Sequence, residues 1–305
     1  VFVSYHPDYV VPLPEGHAFP MRKYELLHAR LLCEGLLAPD EVHAPAEADW
    51  DAIALVHEAG YLGRLRDGTL SEAEIRRIGM PWSPALVRRA RLAVQGTMNA
   101  AMAALESSAR IAANLAGGTH HALPDSGEGY CTLNDVAIAI RWLRQEGYAQ
   151  RMMVCDLDVH HGNGTAAIFA GDAEVCTFSM HGARNFPLRK PASTCDVPLD
   201  DGTEDAAYLD ALRHHLPRLL DAHRPELVFY LAGVDVVEGD RFGRLKLTES
   251  GLASRDRFVI ETVAGRSTPL CLVLAGGYAR TAERTAELHA HAHREARRWL
   301  RARGR

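Results

Sequence analysis

The chain has 305 residues, of which 47% are hydrophobic and 24% charged, proportions that exclude a disordered, collagen-like or disulfide-scaffold protein. A chain of this length buries roughly 75% of its unfolded surface and needs no staples to fold. Its 34 basic and 39 acidic side chains leave a net charge of −5 with His neutral, so no direct nucleic-acid binding is expected.

No apolar run approaches the ~18 residues that span a bilayer, so membrane insertion is not expected. The start, Val1-Phe2-Val3-Ser4-Tyr5-His6, lacks a charged region followed by an apolar core and does not read as a signal peptide. Periodicity then predicts a helix over 22–36 and a short buried strand over 53–56. A long helix follows over 84–105, locally interrupted by Gly96, and then a strand over 112–116. Residues 135–145 read as a helix that Gly147 ends. Strands are expected over 152–155, 175–178, 227–231 and 270–274, with helices over 205–222 and 248–263. Short apolar runs alternating with helices predict an α/β fold: a single-domain three-layer α/β/α protein over 1–305 with a mainly parallel central sheet. The six cysteines, Cys33, Cys131, Cys155, Cys176, Cys195 and Cys271, form no C-x-x-C pair, and several lie in apolar runs. That usage predicts reduced, buried thiols in a cytoplasmic protein.

Chemistry-bearing residues gather where these strands end, which is where open α/β sheets build their sites. Asp158 and His160 stand two apart on an extended segment, so both side chains share a face. A lone Asp-x-His is more often a buried hydrogen-bonded turn, but further Asp and His residues at other strand ends favour a metal. With Asp235 as third ligand, three O and N donors leave a position open for water, as in a catalytic zinc site. His120 and His121 follow Gly117-Gly118, whose freedom permits a bend that presents both rings; a solvated loop is the plainer alternative. Asp156 and Asn163 flank these residues and are suited to accept imidazole N–H groups. Tyr278 follows Gly276-Gly277 and reads either as a donor to a developing oxyanion or as a core tyrosine. His214-His215, and His289, His291 and His293, lie in helical stretches and are expected on solvated faces. Six arginines among residues 294–305 read as a solvated helix end.

The motifs Gly118-Thr119-His120-His121, Gly129-Tyr130-Cys131-Thr132-Leu133-Asn134-Asp135 and the run from Asp156 to Thr165 resemble the zinc-dependent histone deacetylase family of the arginase/deacetylase superfold. The resemblance runs roughly from His17 to Tyr278. Val3-Ser4-Tyr5-His6-Pro7, Pro12-Leu13-Pro14-Glu15-Gly16-His17 and Glu238-Gly239-Asp240-Arg241-Phe242-Gly243 are similar to its class IV branch and bacterial relatives. It implies a catalytic Zn²⁺ held by Asp158, His160 and Asp235, and a catalytic Tyr278. His120 would be partnered by Asp156, and His121 by Asn163, where class I enzymes carry Asp. A structural K⁺ would sit at Asp156, Asp158, His160, Ser179 and Met180. The acyl-lysine tunnel would be formed by Gly129, Tyr130, Phe186, Phe242, Gly276 and Gly277, with Phe242 where many relatives have Leu or Met. Lys23 aligns with an arginine of the class I product channel. The implied reaction is removal of acetyl or longer acyl groups from lysine in a protein or peptide. Acetylpolyamine or another small acyl amine is the alternative substrate; an arginase-like dimetal hydrolase and a silent acyl-lysine reader rank lower.

Overall fold

The computed structural model describes residues 1–303. One eight-stranded sheet is formed by β1 (Phe2–Ser4), β2 (Val42–His43), β3 (Ile111–Asn114), β4 (Met152–Asp156), β5 (Val175–Gly182), β6 (Cys195–Leu199), β7 (Leu227–Leu231) and β8 (Leu270–Val273). The order is β2-β1-β3-β8-β7-β4-β5-β6, and every pairing is parallel. The α-helices are α1 (Lys23–Cys33), α2 (Trp50–Ile53), α3 (Ala59–Asp67), α4 (Glu72–Ile78), α5 (Pro84–Glu106), α6 (Asp135–Gln145), α7 (Asn163–Ile168), α8 (Asp205–His223), α9 (Glu249–Ala264) and α10 (Ala282–Arg303). Helices α1, α10, α9 and α8 pack in succession, and α5 packs on α6. Right-handed crossovers place these two groups on opposite faces of the sheet. The three-layer α/β/α architecture matches the sequence expectation.

Local chemistry explains the long elements. Ser83 accepts from Leu86 N ahead of Pro84, so α5 starts with a cap and a proline preset for the first turn. Asn134 caps α6 and Thr248 caps α9 in the same way. Every residue of β3, β4, β7 and β8 is buried, as strands covered on both faces require. Gly96 does not interrupt α5: a side chain there would come within 2.3 Å of the Tyr9 hydroxyl, so glycine lets the helix lie close on the chain around β1.

Several expectations are corrected. Residues 53–56 are not a strand; they end α2 and pass into a turn, because a four-residue apolar run has no period of its own. Strand β5 continues to Gly182, so Ser179 and His181 lie within it. His289 and His293 are buried, since i,i+4 spacing turns both to the packed side of α10, while His291 reaches Glu249 at 2.7 Å. The arginines of α10 are not simply solvated: Arg294 donates to Glu34, Arg297 to Glu41 and Arg303 to the Ala264 carbonyl. Arg305 lies outside the described residues. All six cysteines are free, four of them buried, one intermediate and Cys33 exposed. Among the described residues, no helix is long and apolar enough to cross a membrane.

Candidate active site

Four adjacent central strands, β3, β8, β7 and β4, deliver the site from their carboxyl ends. His120 and His121 follow β3, Asp158 and His160 follow β4, Asp235 follows β7 and Tyr278 follows β8. Parallel pairing makes these loops converge, which is why residues far apart in sequence meet.

Asp158, His160 and Asp235 place one ligand atom each within 4.8 Å of one another, and all three are buried. His160 Nδ1 is 3.0 Å from Asp158 Oδ1 and 3.2 Å from Asp235 Oδ2. Tetrahedral zinc with ligands at ~2.0–2.1 Å sets its donors roughly 3.3 Å apart, so the spacing suits such an ion. The other carboxylate oxygens are anchored: Gly276 N donates to Asp158 Oδ2 at 2.6 Å and Val159 N to Asp235 Oδ1 at 2.9 Å. Asp235 Oδ2 is buried without a hydrogen-bond partner. Burial, and then the neighbouring Asp158, push the Asp235 carboxyl up to about 7. Two carboxylates facing one buried point are costly unless a cation joins them, and the donor set therefore fits a divalent metal. A second group, His161, His181 and Asp196, is a surface-edged hydrogen-bond cluster, with His161 Nε2 3.1 Å from Asp196 Oδ1.

The two histidines stand beside this centre. Gly117 and Gly118 both adopt positive φ, and the resulting bend brings the rings to 4.1 Å. His120 Nδ1 donates to Asp156 Oδ2 at 2.6 Å. Burial alone would lower the His120 pKa, but Asp156 and Asp158 outweigh it and lift it to about 9. His121 is held well below 6.5, first by burial and then by the charge on His120. Its Nδ1 is 2.6 Å from Asn163 Oδ1, while Asn163 Nδ2 donates to Glu128 Oε2 at 2.9 Å. A carboxylate only accepts, so Glu128 fixes which way the Asn163 amide points. The His121 proton then sits on Nδ1, and Nε2 keeps its lone pair, 3.2 Å from His120 Nε2.

Tyr130, Phe186, Phe242 and Tyr278 line a cavity of about 560 Å³ that reaches His121 and His160. Phe186 meets His121 edge-on at 4.9 Å, and Phe242 meets Tyr278 at 5.0 Å. Glu128 and Cys131 bracket a two-residue turn in which Gly129 and Tyr130 both have positive φ, the pattern of a tight hairpin. That turn sets Tyr130 on the cavity wall. Burial, and then Asp158 and Asp235, raise the Tyr278 pKa well above 10, so its hydroxyl stays a donor. Gly276 borders a separate inner space of about 30 Å³, large enough for about one water. Gly277 sits behind it, against Val234 and His289. Lys23 is buried; its Nζ donates to the Ala275 carbonyl at 3.0 Å, and burial lowers its pKa to about 8. Ser179 pairs in register with Asp156, and its Oγ lies 3.0 Å from His181 Nδ1. Met180 is buried beside them in β5.

Two further residues of the site, Glu128 and Asp240, are brought in by the fold. Glu128 gave no signal because its partner lies 35 residues away. Asp240 accepts from Phe242 N, Gly243 N and Tyr278 N, tying the Phe242 loop to the Tyr278 strand end. An Asp two residues before an aromatic, in a loop bracketed by Gly239 and Gly243, was a usable turn signal.

The parallel sheet and strand-end site define an α/β protein of the arginase/deacetylase-like fold. A sequence profile for the histone deacetylase domain matches residues 17–293, and the chain belongs to the histone deacetylase family. It is 48% identical over 295 residues to an uncharacterized protein of Picosynechococcus sp., covering 97% of this chain and 98% of that one. It is 30% identical over 281 residues to histone deacetylase 2 of Arabidopsis thaliana (88% and 71% covered) and 28% identical over 285 residues to the acetoin utilization protein AcuC of Staphylococcus aureus (86% and 72%). The HDA15 HD domain crystal structure superposes with a TM-score of 0.80 at 19% identity, over 98% of this chain and 90% of that chain. These relationships identify the chain as a deacetylase-type hydrolase acting on acylated amines.

Proposed function

We propose that the chain is a zinc-dependent deacylase that removes acetyl or longer acyl groups from lysine side chains of proteins. In this reading residues 1–305 form one catalytic domain, class IV-like and cytoplasmic. The observation that carries it is the buried meeting of Asp158, His160 and Asp235, with Asp235 Oδ2 unpartnered, beside the His120–His121 pair.

A zinc ion held by Asp158, His160 and Asp235 would supply Lewis acidity toward the amide carbonyl and lower the pKa of water to ~7. Tyr130 and Phe186 pack on the aliphatic stem of the lysine, whose burial contributes ~0.8 kcal/mol per methylene. His121, acting with His120, takes the proton of the attacking water on Nε2 and passes it to the leaving amine. Asp156 holds the His120 ring, and Asn163, oriented by Glu128, holds that of His121. The Tyr278 hydroxyl donates to the oxyanion as it forms. A structural K⁺ is proposed at Asp156, Asp158, His160, Ser179 and Met180, supported by the Asp156–Ser179 register.

The test is a panel of acyl-lysine peptides, from acetyl to long-chain, run beside acetylated polyamines with and without a chelator. The reading expects chelator-sensitive turnover of the peptides. Faster turnover of the polyamines than of any peptide would contradict the substrate, and activity that survives chelation would contradict the metal.

A further inference from the structure

The cavity mouth is strongly cationic. Arg76 and Arg77 lie in the last turn of α4, Arg184 follows β5, and Arg244 follows the Phe242 loop; all four line the cavity and are exposed. The Gly129–Tyr130 turn is bonded to the Arg77 and Ile78 carbonyls, so the first pair stands beside the Tyr130 wall. Arg184 stands two residues from the Phe186 wall and Arg244 two from Phe242. The positive charge is therefore spread around the opening rather than gathered at one point.

Counter-charge is short. Among the described lining residues Glu128 alone is acidic, and its carboxylate is turned to Asn163. Asp201 is shared by Arg244 at 3.2 Å and Arg184 at 3.8 Å, and one carboxylate does not neutralise two guanidinium groups. Arg76 meets Glu72 at 3.2 Å in a highly exposed i,i+4 pair, which holds little charge in place. Arg77 donates to the neutral Ser126 hydroxyl. The helix dipole favours Arg76 and Arg77 at the end of α4, but it does not account for Arg184 and Arg244. The chain as a whole is at −5, so the sign of the mouth runs against that of the molecule.

We infer that the acylated lysine recognised here lies in an acidic protein segment, with carboxylates or phosphates on the residues flanking it. This rests on the deacylase reading and deepens it. Arginine forks suit such groups, and a rim of one sign raises the encounter rate of oppositely charged substrates. The same rim repels a polyamine, whose further amines are cationic.

The experiment uses the full chain loaded with zinc and three peptides carrying one acetyl-lysine flanked by Asp/Glu, Gly/Ser or Lys/Arg. An acetylated diamine and free Nε-acetyl-lysine are run beside them. At low salt the acidic peptide should exceed the neutral one by about tenfold in kcat/KM. The ratio should shrink toward one at high salt, and the basic peptide and the diamine should be slowest. The double variant Arg77→Glu/Arg184→Glu should reverse the order of acidic and basic peptides, which a merely damaged protein would not do. Equal rates for acidic and neutral peptides at low salt would overturn the inference while leaving the deacylase reading intact. An order unmoved by charge reversal would overturn it too, and free acetyl-lysine outpacing the acidic peptide would assign the rim to the α-carboxylate of a single amino acid instead. If no substrate is turned over, the deacylase reading fails, and the inference with it.

Discussion

Replacing Gly276 by Ala should disable the proposed metal centre without touching a ligand. A Cβ built on Gly276 lies 2.0 Å from Asp235 Oδ2 and 2.5 Å from Asp158 Oδ2, where real Cβ contacts stay above 3.0 Å. At least one carboxylate oxygen must retreat by about 1 Å, and a misplacement of that size costs ~10²-fold in rate. Disturbing what orients a metal ligand typically costs ~10–100-fold in metal affinity. The backbone offers no escape, because Gly276 N is bonded to Asp158 Oδ2. Overpacking should cost about 1–3 kcal/mol in stability, so the variant folds with a lowered Tm. Zinc retained after dialysis against a competing chelator, kcat and Tm should be measured together. Gly63→Ala is the control, since a Cβ there meets nothing within 4 Å. Wild-type zinc affinity and kcat in Gly276→Ala would mean that the two carboxylates do not close on one ion.

Tyr278→Phe should keep its zinc and fold but lose ~10²–10³ in kcat, with KM much less affected; near wild-type kcat would remove the tyrosine from the chemistry. His57 Nδ1 is 2.9 Å from the Leu123 carbonyl and its Nε2 accepts from Asn134 N, so a second proton has no place to go. Burial lowers its pKa from 6.5 to about 4. The unfolded chain then binds the proton first, so stability is complete above pH ~6.5 and falls by about 3 kcal/mol as pH drops toward 4. Urea midpoints of wild type and His57→Gln should converge over that window, and parallel midpoints would refute the assignment. Asn163→Asp would face Glu128 across 2.9 Å, so it should be made with Glu128→Gln. The added charge raises the His121 pKa and should move the acid limb of kcat/KM to higher pH; an unmoved limb would show that His121 does not titrate there.

The elements that carry the site were legible because two signals coincided. The runs that became β3, β4, β7 and β8 were both apolar and followed within two residues by Asp or Gly, with His, Asp or Tyr close behind. The edge of the sheet was not legible: β2 has two residues, and β6 alternates partly buried and exposed positions without a sustained apolar run. The apolar run at 53–56 misled for the same reason, being too short to show a period. His289 and His293 show a further limit. Their i,i+4 spacing was visible, but only the packing of α10 on α1 and α9 decides which stripe of that helix is dry. Glu128 and the arginine rim were hidden because they act through distance in space, gathered by the Gly129–Tyr130 turn and the loops after β5 and Phe242.

Whether Asp158, His160 and Asp235 hold one metal on which activity depends is decided by stripping the protein with a chelator and following turnover of an acetyl-lysine peptide as zinc is added back. The stripped protein should show no turnover, and recovery should be linear and saturate at one zinc per chain. Turnover without metal, or saturation at two ions per chain, would contradict that assignment.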